Sequence, residues 1–221
     1  MLPIAGSLQV LMMARFMQPR DSRRPRVLLF PGSLRRDSYQ RRLIEYIRPL
    51  LADHCETEIL EADFPLFNQD LEQDPSIIAR VAAVHRHFAA ADGLIVASPE
   101  YNGHVSPYLK NTVDWVSRLS RIDPLFADSH PFNGKPLVLA SASTGWAGGL
   151  LGLRDARTLF GYLGCLVQAE QICVSDAAHW SFEGSFRFEP AFTAYIAATL
   201  GHFLCLVAAM KTKGRDNESS V

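Results

Sequence analysis

The sequence predicts one α/β domain, built on a parallel β-sheet with helices on both faces. Short apolar and β-branched runs alternate five times with longer segments whose apolar residues recur at helical spacing. The strand-like runs are almost continuously apolar, which is typical of strands buried on both faces. No internal repeat or low-complexity linker divides the 221 residues. These three observations favour a single layered domain.

The first strand and helix are the clearest elements. Residues 27–30 form an apolar run that stops at Pro31-Gly32, and residues 38–51 carry one apolar stripe among arginines. After the second strand, the polar segment 63–75 is too long for a tight turn, which indicates a functional loop. The other elements predicted up to residue 119 are strands 57–60 and 93–97 and helices 76–91 and 107–119.

The rest of the domain continues the alternation. It contains strand 137–142, helix 149–163, strand 167–174 and helix 190–210. We predict a folded domain over residues 26–210, followed by a polar, disordered tail over 211–221. Residues 1–25 are interpreted as a loosely ordered extension, because their apolar run is too short and interrupted for a membrane span and lacks the preceding basic region of a signal peptide. A start codon at Met13 or Met17 is the alternative.

The composition excludes several classes of partner and site. The chain is 48% hydrophobic and 20% charged, with a formal net charge of -1, so no general attraction to nucleic acid or to an anionic membrane is expected. Its four cysteines show no C-x-x-C spacing. We interpret them as reduced, which predicts a cytoplasmic protein. The histidines lack metal-ligand spacing, and no metal site is predicted.

The loop after the first strand has the chemistry of a phosphate site. Ligands of parallel sheets bind beyond the carboxyl ends of the strands, which makes these loops the places to search. Residues 31–38 offer Ser33, Arg35 and Ser38, together with backbone N–H groups at a helix N-terminus. This set suits a phosphate monoester, although neither glycine-rich nucleotide motif is present. Alternatively, Ser38 only caps the helix and the arginines are solvated.

Two further loops predict a crevice for a planar ligand. Residues 98–103 present an acid, an aromatic ring and an amide on a rigid turn, and the backbone of such a turn can bind an imide edge. The alternative is a turn selected for geometry alone. Residues 141–149 are small and allow close approach of backbone to a ligand. With the first loop, they are expected to surround one site.

Two blocks in these loops resemble a known family. Residues 32–43 resemble the G-S-x-R-x-x-S-x-N-x-x-L signature of the NADPH-dependent FMN reductase family. Residues 98–115, S-P-E-Y-N-G-H-V-S-P-Y-L-K-N-T-V-D-W, are similar to its P-E-Y-N-x-x-x-P-x-x-L-K-N-x-x-D-W block. Residues 134–136 and 141–149 match its G-K-P and small-residue segments. The resemblance covers roughly residues 26–175.

The resemblance implies a fold and a set of cofactor contacts. The fold is a flavodoxin-like three-layer sandwich with a five-stranded parallel sheet in the order 2-1-3-4-5. FMN is the implied bound cofactor and NADPH or NADH a transient one. The implied FMN-binding residues are Ser33, Arg35, Ser38 and Gln40 at the phosphate, Pro99, Glu100, Tyr101, Asn102 and Gly103 at the ring, and Ser143, Thr144 and Gly145 on its other side. Gln40 stands where the family has asparagine.

The expected function is an FMN-dependent oxidoreductase that takes a hydride from NAD(P)H. It would reduce quinones, azo compounds, metal oxyanions or flavin by a ping-pong mechanism, as a homodimer or homotetramer. Because the flavin carries the chemistry, no catalytic side chain is predicted. His104 is a candidate proton donor, but an exposed loop histidine is the more frequent case. The alternatives are a flavodoxin-like electron carrier, against which the net charge of -1 argues, and a non-catalytic FMN-binding protein.

Overall fold

A parallel sheet lies at the centre of the protein. The computed structural model describes residues 23–218, so most of the predicted N-terminal extension lies outside the described residues. The sheet contains β1 (Arg26–Pro31), β2 (Glu56–Ile59), β3 (Gly93–Ala97), β6 (Pro136–Ala142), β7 (Leu166–Val167) and β8 (Ile172–Val174). These strands are parallel in the order β2-β1-β3-β6, with β7 and β8 both beside β6. The predicted order 2-1-3-4-5 is confirmed.

The fifth position of the sheet is occupied by two short strands rather than by the continuous strand predicted over 167–174. β7 pairs with the start of β6 and β8 with its end. Between them the backbone turns to other partners: the Arg157 guanidinium donates to the carbonyls of Gln168 and Ala169 at 2.8 and 3.2 Å. The sequence of residues 167–174 alone does not reveal this break, because the arginine is supplied by a helix.

Helices cover both faces of the sheet. They are α1 (Tyr39–Leu50), α2 (Pro75–Ala90), α3 (Pro107–Ile122), α4 (Leu150–Tyr162), α5 (Ala177–Trp180) and α6 (Pro190–Glu218). Side chains of β1 alternate between the faces, as the period of a strand requires. Val27 and Leu29 pack with residues of α1 and α6, whereas Leu28 and Phe30 pack with residues of α2, α3 and α4. Strand β1 is therefore apolar on both sides, as the sequence predicted.

The long helix α6 contains an apolar part. Within Pro190–Lys211, an 18-residue window has a mean hydropathy of 1.7, which by length and composition is enough to cross a membrane, and 33% of that window is buried. Ile196, Leu200 and Phe203 belong to the core cluster that α1 also contacts. Core helices of globular proteins share this composition, and here the buried stripe is accounted for by packing on the sheet.

Two short hairpins were not predicted. One joins β4 (Glu100–Tyr101) to β5 (His104–Val105), and the other joins β9 (Ser181–Phe182) to β10 (Ser185–Phe186). Both turn residues of each hairpin have positive φ: 53° and 78° at Asn102-Gly103, and 46° and 83° at Glu183-Gly184. Two-residue turns of this kind match the twist of a hairpin. Strands of two residues are too short to show a period in sequence.

Candidate functional site

The three candidate loops lie at one edge of the sheet. They leave the carboxyl ends of the neighbouring strands β1, β3 and β6, and the chain reverses its direction across the sheet at β1, between β2 and β3. The Gly32 N–H donates to the Ala97 carbonyl at 2.8 Å, which joins the first loop to the end of β3. A Cβ at Gly32 would lie 3.1 Å from that carbonyl oxygen. The close approach of the two loops therefore favours glycine.

The first loop combines hydroxyls, a guanidinium group and free backbone donors. The Ser33 hydroxyl accepts from the Arg35 N–H at 3.3 Å, and the Arg35 guanidinium lies 5.9 Å from the centre of the Tyr39 ring. Ser38 is buried and caps α1 by accepting from the Arg41 N–H at 3.1 Å. Among the described residues, the N–H groups of Leu34, Arg36 and Asp37 have no acceptor. Such a helix start can bind an anion.

A cavity of about 670 Å³ opens beside the first loop. Its walls come from that loop, from α1, from the segment after β2 and from the β9–β10 turn. Arg35, Arg41 and Arg42 line it, together with Glu61 and Tyr108. The Arg41 guanidinium is already paired with Glu61 at 2.7 Å. The cavity thus continues from the phosphate-type loop toward β2, and both acidic and basic side chains line it.

Gln40 connects the first loop to the third. Its side chain is buried, and its Nε2 donates to the Ala142 carbonyl at 2.8 Å, across 102 positions of sequence. This contact uses one N–H of the amide that the family resemblance places at the phosphate. Since Ala142 ends β6, the amide holds the start of α1 against the origin of the small-residue loop.

The second loop is the β4–β5 hairpin. The Glu100 Oε2 accepts from the N–H groups of Leu151 and Gly152 at 2.9 and 3.1 Å, at the N-terminus of α4. The carboxylate thereby satisfies helix donors and fixes the hairpin on α4. Tyr101 is 50% exposed, and the turn follows at Asn102 and Gly103. Pro99 precedes the hairpin, and its carbonyl accepts from the Ser98 hydroxyl at 3.0 Å.

The third loop is held by backbone contacts to the strand beside it. The Ser143 N–H donates to the Val174 carbonyl at 2.9 Å, and the Ser143 hydroxyl accepts from the Gly145 N–H at 3.1 Å. Thr144 and Gly145 are exposed, and Trp146 is 92% exposed. The start of the loop is fixed by hydrogen bonds, and its tip is exposed and made mostly of small residues. A ligand therefore has room to lie against this loop.

A histidine–carboxylate pair lies on the second loop. The His104 Nδ1 is 2.5 Å from the Asp155 Oδ2 of α4, and the Arg154 Nε donates to the other Asp155 oxygen at 3.1 Å. The hydrogen bond from His104, followed by that from Arg154, lowers the pKa of the Asp155 carboxyl. Sequence reasoning noticed His104 but missed Asp155. No local pattern links two residues that are 51 positions apart.

Comparison with known proteins decides the family. A sequence profile described as NADPH-dependent FMN reductase matches residues 25–179, most of the chain, and includes all three loops. The chain belongs to the NADPH-dependent FMN reductase family. A quinone reductase of Escherichia coli (strain K12) is 30% identical over 148 residues, which are 66% of this chain and 74% of that protein. A 2-hydroxy-1,4-benzoquinone reductase of a Burkholderia species is 31% identical over 139 residues, 62% and 71% of the two chains.

Solved structures of flavoenzymes share the fold of this family member. FerB, a flavoenzyme NAD(P)H:(acceptor) oxidoreductase from Paracoccus denitrificans, has a TM-score of 0.71 at 21% identity and covers 84% of this chain and 98% of its own. The apo form of the NADH:FMN oxidoreductase EMOB has a TM-score of 0.59 at 18% identity, with coverages of 81% and 88%. The flavodoxin-like three-layer architecture is therefore confirmed, and the chain is an oxidoreductase of a family that uses flavin and NAD(P)H.

The family block on α3 has a structural role in part. The Asn111 side chain donates to the Pro65 carbonyl at 3.0 Å and accepts from the Phe67 N–H at 2.7 Å, and the Trp115 indole donates to Pro65 at 2.9 Å. These hydrogen bonds fix the loop after β2 on helix α3. The Lys110 ammonium pairs with Asp114 on the helix surface at 2.7 Å. These side chains therefore have partners within the fold.

Ser106 is a functional-site residue that sequence reasoning missed. Its buried hydroxyl donates to the Gly32 carbonyl at 2.6 Å and accepts from the Leu109 N–H at 3.1 Å, so it caps α3 and binds the first loop at once. The signal was present, because serine before proline at a helix start is a typical N-cap. Its contact with the Gly32 carbonyl, 74 positions away, could not be predicted from the sequence.

Neither metal chemistry nor thiol chemistry is prominent at the site. Within residues 23–218, no three His, Cys, Asp or Glu side chains come together in a way that could hold a metal ion. Burial raises the pKa of the Cys55 thiol to about 11 and that of Cys165 to about 12. Both thiols are therefore neutral and unreactive at physiological pH.

Proposed function

We propose that this family member is an FMN-dependent oxidoreductase that takes a hydride from NADPH or NADH and reduces small acceptors by a ping-pong mechanism. Quinones are the first candidates, and azo compounds, metal oxyanions and free flavin are others. The observation that carries the proposal is the meeting of three loops at the switch point of the sheet, joined by the Gly32–Ala97 and Gln40–Ala142 hydrogen bonds. The names of the two relatives support quinones as acceptors.

The first loop is the proposed phosphate site for FMN. Ser33 and Arg35 lie beside three backbone N–H groups that have no acceptor among the described residues. A phosphate dianion would satisfy these donors and the partial positive charge of the helix start together. Ser38 would contribute chiefly by shaping the loop, because its hydroxyl already caps α1. Gln40 would act through the third loop, which its amide holds.

The second and third loops are the proposed walls for the flavin ring. Tyr101, Asn102 and the backbone of Pro99 would line one side, and residues 143–145 the other. Gly103 supplies one of the two positive φ angles of the turn. Glu100 would act by holding the hairpin on α4, because its carboxylate accepts two helix N–H groups. The exposed tips of both loops support an open ring face that different flat acceptors could use in turn.

The flavin supplies the chemistry when it is bound, by accepting a hydride from the nicotinamide and passing it to the acceptor. The loops of the protein bind the cofactor, orient it and leave access for one substrate at a time. Such an arrangement favours alternating use of one site by the two substrates. We further infer a cytoplasmic homodimer or homotetramer. Association into an oligomer is supported by four exposed apolar side chains near the loops: Tyr101, Trp146, Leu150 and Leu151.

The first test is an absorption spectrum of purified protein loaded with FMN, before and after anaerobic addition of NADPH. Bleaching of the flavin bands, followed by recovery on addition of a quinone, is the expected result. Flavin that binds but is not bleached would favour a flavodoxin-like carrier instead. Failure to take up FMN would contradict the three-loop site. Steady-state NADPH and NADH oxidation with each class of acceptor then ranks the substrates.

A further inference from the structure

Reduction of a quinone by NAD(P)H needs a proton that the hydride does not provide. The balanced reaction is NAD(P)H + quinone + H⁺ → NAD(P)⁺ + hydroquinone. The hydride carries the electron pair and one hydrogen, and the second hydrogen reaches a quinone oxygen as a proton. A side chain at the mouth of the crevice that holds an ionisable N–H could deliver it.

The β4–β5 hairpin places one histidine beside the proposed ring wall. Tyr101 and His104 are paired residues of adjacent antiparallel strands, and such partners project on the same face of a hairpin. Tyr101 is 50% exposed and the His104 side chain 72% exposed. A ligand that lies along Tyr101 is therefore within reach of the imidazole.

Asp155 holds this imidazole in one orientation. Its Oδ2 lies 2.5 Å from the His104 Nδ1, and its other oxygen is bound by Arg154, so the carboxylate is itself fixed. With Nδ1 committed to Asp155, Nε2 is the ring nitrogen left for another partner. The hydrogen bond from His104 lowers the pKa of the Asp155 carboxyl, so the carboxylate stays ionised and can hold the ring.

We propose that His104 is the proton donor to the acceptor and that Asp155 is its positioning residue. The Nε2–H bond of the imidazolium breaks, an O–H bond forms on the quinone oxygen, and solvent returns the proton to the imidazole. This role rests on the proposed function. It assigns to the side chains a step that neither flavin binding nor hydride delivery requires.

The first experiment compares two acceptors in the FMN-loaded enzyme. 1,4-Naphthoquinone takes up a proton on reduction, whereas ferricyanide accepts one electron at a time and no proton. His104→Gln is expected to lower kcat with the quinone on the order of 100-fold, the lower end for a general acid, and to leave ferricyanide turnover unchanged. Asp155→Asn should give an intermediate loss.

The matched control is His202→Gln. His202 is also an exposed histidine paired with a carboxylate, Glu170 at 3.0 Å, but it lies on α6. It should match the wild type with both acceptors. Equal losses with quinone and ferricyanide in His104→Gln, or no loss with either, would overturn the proposal. If NADPH fails to bleach the wild-type flavin, the proposed function itself fails. Bleaching at the wild-type rate in His104→Gln locates any defect after that step.

A second readout needs no turnover. In oxidised, FMN-loaded protein without nicotinamide, 1,4-naphthoquinone should shift the imidazole ¹⁵N resonances of His104 and leave those of His202 in place. Absence of a selective shift at saturating quinone would mean that His104 does not touch the acceptor. His104 would then only fasten the hairpin to α4.

Discussion

The Gln40 side chain donates a 2.8 Å hydrogen bond to the carbonyl of Ala142 and thereby joins the two loops that approach the crevice from β1 and β6. Gln40 belongs to the first turn of α1, and Ala142 is the last residue of β6. Both residues are buried. The spacing between the phosphate-type loop and the small-residue loop therefore depends on one side-chain amide, at a position where the family signature has asparagine.

Loss of this amide should weaken both the fold and cofactor binding. Gln40→Met keeps the length of the side chain but leaves the buried Ala142 carbonyl without its donor. We expect the free energy of unfolding to fall by about 1–3 kcal/mol and the Kd for FMN to rise. Urea unfolding of flavin-free protein and fluorescence titration with FMN measure the two effects. Gln73→Met, at an exposed position, is the control. An unchanged Kd in Gln40→Met would show that the loop spacing does not matter for binding.

Arg35 should recognise the phosphate and not the ring. Its guanidinium lies in the first loop beside Ser33, and hydrogen bonds to charged groups are worth about 1.5–3 kcal/mol. Arg35→Ala is therefore expected to raise the Kd for FMN roughly 10- to 100-fold, but to leave the weaker binding of riboflavin unchanged. Titration of both flavins measures this difference. Arg48→Ala, in the exposed last turn of α1, is the control. Equal weakening for both flavins would contradict a phosphate role.

The outline of the fold could be predicted from local patterns, but the connections at the site could not. Strand 93–97 has the predicted limits and helix α3 begins at the predicted residue Pro107, because continuous apolar runs and a Ser-Pro helix start are local signals. The break between β7 and β8 depends on Arg157, a residue of another element. The Gln40–Ala142 and His104–Asp155 contacts could not be predicted either, because in each pair the partner belongs to a distant element. Residue types at the loops were readable, whereas the partners that orient their side chains were set by tertiary packing.

Alanine substitution at two glycines of the third loop should have different effects, on stability at Gly148 and on FMN binding at Gly145. Gly148 has φ of +60°, and a Cβ there would lie 3.0 Å from the Ser175 nitrogen. Gly148→Ala is expected to cost about 1–3 kcal/mol of stability. At Gly145, a Cβ would meet only the Ser143 hydroxyl at 3.5 Å, an ordinary contact. Gly145→Ala should keep its stability within about 0.5 kcal/mol but bind FMN more weakly, because residues 143–145 are proposed to line the flavin ring. Thermal unfolding and FMN titration separate the two effects, and reversed results would refute the assignment.

His85 should make the protein sensitive to mild acid. The side chain is fully buried on α2, its ring lies 4.8 Å from that of Phe126, and neither ring nitrogen has a hydrogen-bond partner among the described residues. Burial lowers the pKa of His85 in the folded state. The unfolded chain, with an ordinary histidine pKa near 6.5, then binds the proton more readily than the folded one. The contribution of neutral, buried His85 to stability is therefore complete above about pH 6.5 and is lost as the pH falls below that value.

The expected loss is up to about 1.4 kcal/mol per pH unit below that value, until the folded state also binds the proton. Urea unfolding at pH 7.5, 6.5, 5.5 and 5.0 measures it. His85→Leu removes the titrating group, so its free energy of unfolding should change less over this range than that of the wild type. His54→Gln, at an exposed position, should retain the wild-type slope. If His85→Leu loses stability as steeply as the wild type between pH 7.5 and 5.0, the acid sensitivity resides in other groups, since a buried histidine changes the pH dependence of stability only through this difference in proton binding.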